Sequence, residues 1–131
     1  MNLLLDTHIF LWYIANDARL DSEVRREIQQ PENHVYLSAV SIWECLVKNR
    51  LGKLPLPQQP AEYLLLQRKR HLIDALSLDE GSVSQLAKLP DLHRDPFDRM
   101  LICQAIEHNL TLVTVDEAVK QYPVAVFQSI P

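Results

Sequence analysis

A chain of 131 residues that is 47% hydrophobic and 23% charged has the makeup of one ordinary globular domain with a true core, not of a disordered segment. Two glycines in the whole chain exclude the glycine-rich phosphate loops of Walker or Rossmann type, and no apolar run is long enough to span a bilayer. The net charge of −4 excludes a global nucleic-acid footprint, although local basic clusters still steer polyanions.

Met1 to Asp6 lacks the basic start and long apolar stretch of an export signal, so the cytoplasm is the expected location. Leu3 to Leu5 reads as a short buried strand, followed by a helix from about Thr7 to Ala15. Asp21 or Ser22 caps a second helix that ends before Pro31. His34 to Leu37 reads as a strand, and Ser38 caps a helix to about Leu51 with Gly52 as its stop. The proline-rich stretch Leu54 to Pro60 is irregular and leads into a helix from Ala61 to about Arg70. Ile73 to Leu78 is expected as a strand, and Asp79 caps a helix to Leu89. After the loop Leu89 to Arg94 comes a helix from Pro96 to about His108. Thr111 to Val115 is the best strand in the chain, then a short helix, then a last strand near Val124 to Phe127. With no repeat, low-complexity tract or linker, residues 1–131 are expected to form one domain. Strands alternating with helices imply an α/β fold whose parallel sheet is covered on both faces. Ligands in such folds bind beyond the carboxyl ends of the strands, where Asp6 and Asp116 would lie.

Five acids stand against or inside apolar stretches, where a carboxylate costs several kcal/mol unless it is paired or binds a metal. Asp6 closes Leu3-Leu4-Leu5, and Asp116 closes Leu110 to Val115. Each precedes a helix, so capping accounts for either alone; at strand ends in one parallel sheet they would also be neighbours. Pro96 suits a first helical position and makes Asp95 the natural cap. Asp98 then falls on the stripe Asp98, Leu101, Ile102, Ala105, Ile106, facing the core. Glu44 lies mid-helix in Ala39 to Val47, where only it and Ser41 are strongly polar; a cap cannot explain it, which leaves a salt bridge to a buried arginine or a ligand role. Thr7 and Thr114 accompany the acids. Thr114, two residues before Asp116, points to the same side of the strand and could orient a carboxylate or simply fill the strand.

Converging carboxylates raise one another's pKa values if left bare. Oxygen-only ligation without His or Cys favours Mg²⁺ or Mn²⁺ over Zn²⁺, and such a site suits in-line phosphodiester hydrolysis. Cys45 and Cys103 sit among Leu, Ile and Val, fall at no zinc spacing, and read as buried, unpaired and inert.

Leu5-Asp6-Thr7-His8, Ser38-Ala39-Val40-Ser41-Ile42-Trp43-Glu44, His93-Arg94-Asp95-Pro96-Phe97-Asp98-Arg99 and Leu112-Val113-Thr114-Val115-Asp116 occur in the order and spacing of PIN-domain ribonucleases. The chain resembles that family over nearly its whole length, and its His93 to Arg99 segment looks most like the VapC-type toxins of type II toxin–antitoxin pairs. The resemblance implies a three-layer α/β/α sandwich around a central parallel sheet. It places metal binding and catalysis on Asp6, Glu44, Asp98 and Asp116, with Thr114 as polar helper. It also implies Mg²⁺ or Mn²⁺ as cofactor, RNA as substrate, a homodimer, and a small cognate antitoxin whose inserted segment blocks the groove beside the acids, in assemblies that can grow larger. Asp95 belongs to the motif but acts as a cap or a residue behind the ligands. Val115 departs from the family, since relatives often carry a basic or polar residue there; the ligand set is untouched.

Lys48, Arg50, Arg94 and Arg99 are candidate RNA contacts. Two other readings stand beside the nuclease: a non-catalytic PIN-like binding protein, against which the intact quartet argues, and an Asp-based phosphoryl-transfer domain at Asp6. One phosphatase class of the latter kind needs an Asp two residues on, where this chain has His8.

Overall fold

Leu3, Leu4 and Leu5 are all fully buried, which only a central strand covered on both faces requires. In the structure, a computed structural model that describes residues 1–92 and 95–128, they form most of β1 (Asn2–Leu5). β1 pairs in parallel with β2 (His34–Ser38) on one side, Leu3 opposite Val35. On the other it pairs with β4 (Thr111–Val113), Leu5 opposite Val113. β3 (Asp74–Leu76) adds to β2, giving the order β3-β2-β1-β4, all parallel.

Side chains alternate across this sheet with the two-residue period of a strand. Leu3, Leu5, Val35, Leu37 and Val113 enter one core cluster; Leu4 and Leu112 enter the other. The first is closed by α1 (Thr7–Ile14), α2 (Ser22–Gln29) and α4 (Pro60–Arg70) through Ile9, Phe10, Val24, Ile28 and Leu64. The second is closed by α6 (Pro96–Glu107) through Leu101, Ile102 and Ala105, with the short α5 (Glu80–Ser84) against it. α3 (Ala39–Arg50) reaches both clusters, Val40 to one and Cys45 to the other. The result is three layers, α/β/α, as expected.

Asp21, Ser38, Asp79 and Asp95 each accept a backbone N–H at the head of a helix, and Gly52, with φ +74°, ends α3 in the left-handed region that favours glycine. Four elements are shorter than expected. The strand expected from Ile73 to Leu78 spans only Asp74–Leu76, the three residues that find partners in Tyr36 to Ser38 of β2. The helix after Asp79 stops at Ser84 and continues as a 3-10 turn, Gln85–Ala87; Ser84 Oγ bonds the Glu80 carbonyl at 2.9 Å, a local bond that competes with helix geometry. β4 stops at Val113 because the Thr114 hydroxyl accepts the Asp116 N–H at 3.1 Å, a turn in place of a ladder. The last strand is reduced to one parallel bridge, Val126 to Leu112, secured by Leu112 N–H to Ala125 O at 2.8 Å and Phe127 N–H to Leu112 O at 2.9 Å.

One buried polar link crosses the second face. The Gln104 side chain, 0% exposed, accepts from Ser38 Oγ at 2.5 Å and donates to Ser77 O at 3.3 Å, which ties α6 to the carboxyl ends of β2 and β3. Replacing Gln104 by Leu strands the Ser38 hydroxyl and is expected to lower stability by about 1–3 kcal/mol in urea unfolding. Adding Ser38→Ala to that variant should then cost less than it does alone; additive losses would show that the two side chains do not act as a pair.

Candidate active site

The site grows out of the β1–β4 pairing. With Leu5 beside Val113, the next residue on each strand lies in the crevice where the chain leaves the sheet. β1 runs into α1 on one face, and β4 turns towards Val119 in the cluster on the other. Asp6, buried, caps α1 with Oδ1 accepting the His8 N–H at 3.2 Å, while Oδ2 accepts the Thr114 hydroxyl at 2.6 Å. Thr114 therefore bridges two acids, donating to Asp6 and accepting from the Asp116 backbone. Asp116 Oδ1 in turn accepts the Ala118 N–H at 2.9 Å. Capping is real at both acids, yet it engages only one oxygen of Asp6.

Burial pushes the Asp6 pKa up. The Thr114 hydroxyl, the His8 N–H and the His8 charge oppose that push, and the negative charge of Glu44 adds to it. Glu44 thus lies within electrostatic reach of Asp6. It sits mid-α3, 2% exposed, its Oε1 accepting the Thr7 hydroxyl at 2.7 Å. Thr7 Oγ1 also bonds with Ser41 Oγ at 2.9 Å. Glu44 Oε2 is held by Lys48 Nζ, one helical turn on. Burial works against the Lys48 charge, but the bond to Glu44 and the charges of Glu44, Asp95 and Asp98 outweigh it and hold the ammonium's pKa above its usual value.

α6 brings the remaining acids. Asp95 Oδ1 accepts the N–H groups of Phe97 at 2.9 Å and Asp98 at 3.3 Å, the expected cap ahead of Pro96. Asp98, half-buried, stands in the first turn on the face that buries Leu101, Ile102 and Ala105. Among the described residues no three Asp, Glu, His or Cys side chains stand close enough to enclose a cation. They form two groups, Asp6–Thr114–Asp116 and Glu44–Lys48 with Asp98 nearby, a separation that relieves the mutual repulsion of bare carboxylates.

The basic candidates divide. Lys48 faces Glu44, and Arg50 is exposed at the end of α3. Arg99 Nη1 donates to Asp91 Oδ1 at 3.0 Å and to Pro90 O at 3.3 Å, fastening the loop before α6. Arg94, with His93, lies outside the described residues. Val115 is exposed at the crevice rim. Both cysteines are free and buried; burial, then the Glu44 charge, pushes the Cys45 thiol up to about 12, and burial raises Cys103 as well, so neither is a thiolate nucleophile. Ser41 and the Lys48–Glu44 pair escaped the sequence reading. A Glu followed by Lys four residues on along one helix is the signal that marks the second.

A parallel three-layer sandwich with Asp6 and Asp116 just beyond the adjacent strands β1 and β4, and Glu44 and Asp98 on the flanking helices, defines an acid-crevice α/β/α protein. Residues 3–125 match the PIN domain model, and the chain belongs to the PIN domain family. It is 40% identical to Ribonuclease VapC16 of Mycobacterium tuberculosis over 60 residues, 46% of this chain and 43% of that protein, so this match takes in less than half the relative's length. Against Ribonuclease VapC22 of the same organism it is 27% identical over 122 residues, 92% of this chain and 91% of the relative. The solved structure of VapBC-1 from nontypeable Haemophilus influenzae shares the fold with a TM-score of 0.67 at 21% identity, covering 92% of this chain and 91% of that one.

Asp6 yields a pH prediction. Its folded pKa lies above the ordinary 3.8, so the folded state binds the proton more tightly than the unfolded state does. The stability this gives is complete below 3.8 and is lost as pH rises through the folded value. Asp6→Asn cannot titrate. In EDTA, its unfolding free energy relative to the wild type should therefore improve as pH rises from acid to neutral. Parallel pH profiles would contradict the buried, proton-favouring environment.

Proposed function

We propose that this chain is a metal-dependent endoribonuclease, a single domain over residues 1–131 acting in the cytoplasm as the toxin of a toxin–antitoxin pair. The observation that carries the reading is Asp6. A buried carboxylate, driven towards protonation by its surroundings and faced by the charge of Glu44, is a standing cost to the fold that a divalent cation would remove. Membership of the PIN domain family and the likeness to two proteins named ribonuclease VapC support the same reading.

The donor set fits the ion. Asp6, Glu44, Asp98 and Asp116 offer carboxylate oxygens with a Thr114 hydroxyl beside them and no thiolate or imidazole ligand between them, the chemistry of Mg²⁺ or Mn²⁺. When bound, such an ion makes water a better nucleophile and offsets charge on the phosphate. The protein's own groups prepare that event. Thr114 fixes the Asp6 carboxylate against Asp116, Thr7 fixes Glu44, and Asp95, by capping α6, sets the direction in which Asp98 leaves the helix. Arg50 and Arg94 are assigned to the RNA backbone, where phosphate contacts position a substrate without reading its sequence. Lys48 and Arg99 reach RNA only by leaving Glu44 and Asp91.

The cognate antitoxin is assigned to the cavity of 530 Å³ between α1 and residues 53–57, lined by His8, Trp12, Leu54, Pro55 and Tyr63. His8 follows Asp6 by two residues, so a segment seated there runs up to the acids. Homodimer formation and larger toxin–antitoxin assembly belong to the same proposal.

The test uses the purified chain and RNA with Mg²⁺, Mn²⁺ or EDTA. Cleavage should require the metal and fall at least about a hundredfold in Asp98→Asn, with no hydrolysis of small phosphate esters. Retained cleavage by folded Asp98→Asn, or RNA binding without cleavage by the wild type, would overturn the reading.

A further inference from the structure

We infer that Lys48 is the built-in counter-cation of the acid site, holding Glu44 when no divalent ion is bound and competing with that ion for it. The inference deepens the proposed function and rests on it.

Both oxygens of Glu44 are taken, Oε1 by Thr7 and Oε2 by Lys48. Each bond uses one lone pair of its oxygen, so a metal ion that ligates Glu44 meets the Lys48 charge at close range unless the ammonium moves away. Thr7 is the fixed partner: it is 3% exposed at the first position of α1, its short side chain also bonded to Ser41. Lys48 is the movable one. Its side chain is 33% exposed against 3% for Glu44, and a four-carbon stem lets the ammonium leave without disturbing the helix.

Position argues the same way. The ammonium bonds Glu44 on its own helix and feels Asp95 and Asp98 from α6, so it faces three negative charges. An ordinary Glu–Lys pair one turn apart on a solvated helix adds only about 0.2–0.5 kcal/mol. Here the glutamate is buried, and removing the lysine leaves an uncompensated buried charge. Metal-free protein thus depends on Lys48, and metal binding is weakened by it.

The experiment measures Mn²⁺ affinity of the full chain from the free-ion paramagnetic resonance signal, with thermal melting in EDTA and in saturating Mn²⁺. Lys48→Met, and Lys48→Gln should the first not fold, is expected to bind Mn²⁺ about tenfold more tightly, as when a part-buried charge pair no longer has to be broken. The same variants should melt lower in EDTA and gain more from Mn²⁺ than the wild type does. Lys48→Arg keeps the charge and should bind no more tightly than the wild type. Arg50→Gln, a charge removed from the same helix end, should stay within about twofold if the effect is contact and not general field. Wild-type binding that is unchanged or weakened in the folded neutral variants overturns the counter-cation role alone. No Mn²⁺ binding by the wild type overturns the proposed function and this inference with it.

Discussion

The pairing of Leu5 with Val113 is the constraint on which the rest of the molecule turns. It joins residues more than a hundred positions apart in sequence, at the point where strand order reverses direction: β2 and β3 extend the sheet to one side of β1, and the chain returns to place β4 on the other. Helices that follow strands on either side of such a point diverge, which opens a crevice at the strand ends. A slip of one residue in that register would turn Val113 and Leu112 into each other's cores. It would also remove the Thr114 hydroxyl from Asp6. Core packing and site geometry are thus fixed by one choice of register.

With Asp6 and Glu44 buried, the fold must stabilise them without a continuous ladder of backbone donors. Among the described residues it does so with short hydroxyls and the Lys48 ammonium. Thr114 and Thr7 stand one residue beyond β4 and at the first turn of α1, each delivering an O–H to a carboxylate. Hydroxyl bonds to a charged acceptor are stronger than neutral ones, yet they carry no net charge, so they orient the acids without neutralising them. Lys48 does neutralise, but from a flexible stem. Rigid donors that preserve charge and a mobile donor that cancels it suit the cation site proposed above.

Much of this could be read before any coordinates. The caps at Asp21, Ser38, Asp79 and Asp95, the stop at Gly52 and the core-facing stripe below Asp98 follow from residue type and spacing, because capping and amphipathic periodicity are local. What escaped was set by competition between local bonds or by distance in the chain. Thr111 to Val115 looks like five residues of strand, but the Thr114 hydroxyl takes the Asp116 N–H and bends the chain away from the ladder. Ser84 breaks its helix by the same means. The segment at Val124 to Phe127 has strand-like residues but, among the described residues, a single bridge to Leu112. Glu44 was legible as an anomaly mid-helix, and its partner was sought among buried arginines; the partner is a lysine on its own helix, four residues on. Gln104, a polar residue inside an apolar stripe, meets Ser38 across 66 residues of chain, and a single sequence carries no trace of that meeting.

The Ser38–Gln104 link bears on how the two halves of the site stay in register. Glu44 rides on α3, which Ser38 begins, and Asp98 rides on α6, which contains Gln104 a turn and a half further on. Apolar contacts alone would let these helices slide, since dispersion is non-directional and neighbouring packings differ little in area. A buried hydrogen bond whose loss strands a hydroxyl does not permit that slide. The Ser38 oxygen also accepts the Val40 N–H at 2.9 Å, so the same atom that starts α3 anchors α6. The distance between the Glu44 and Asp98 carboxylates is therefore governed from below the site, by neutral groups that touch neither acid, and the core sets the spacing that the proposed ion would meet.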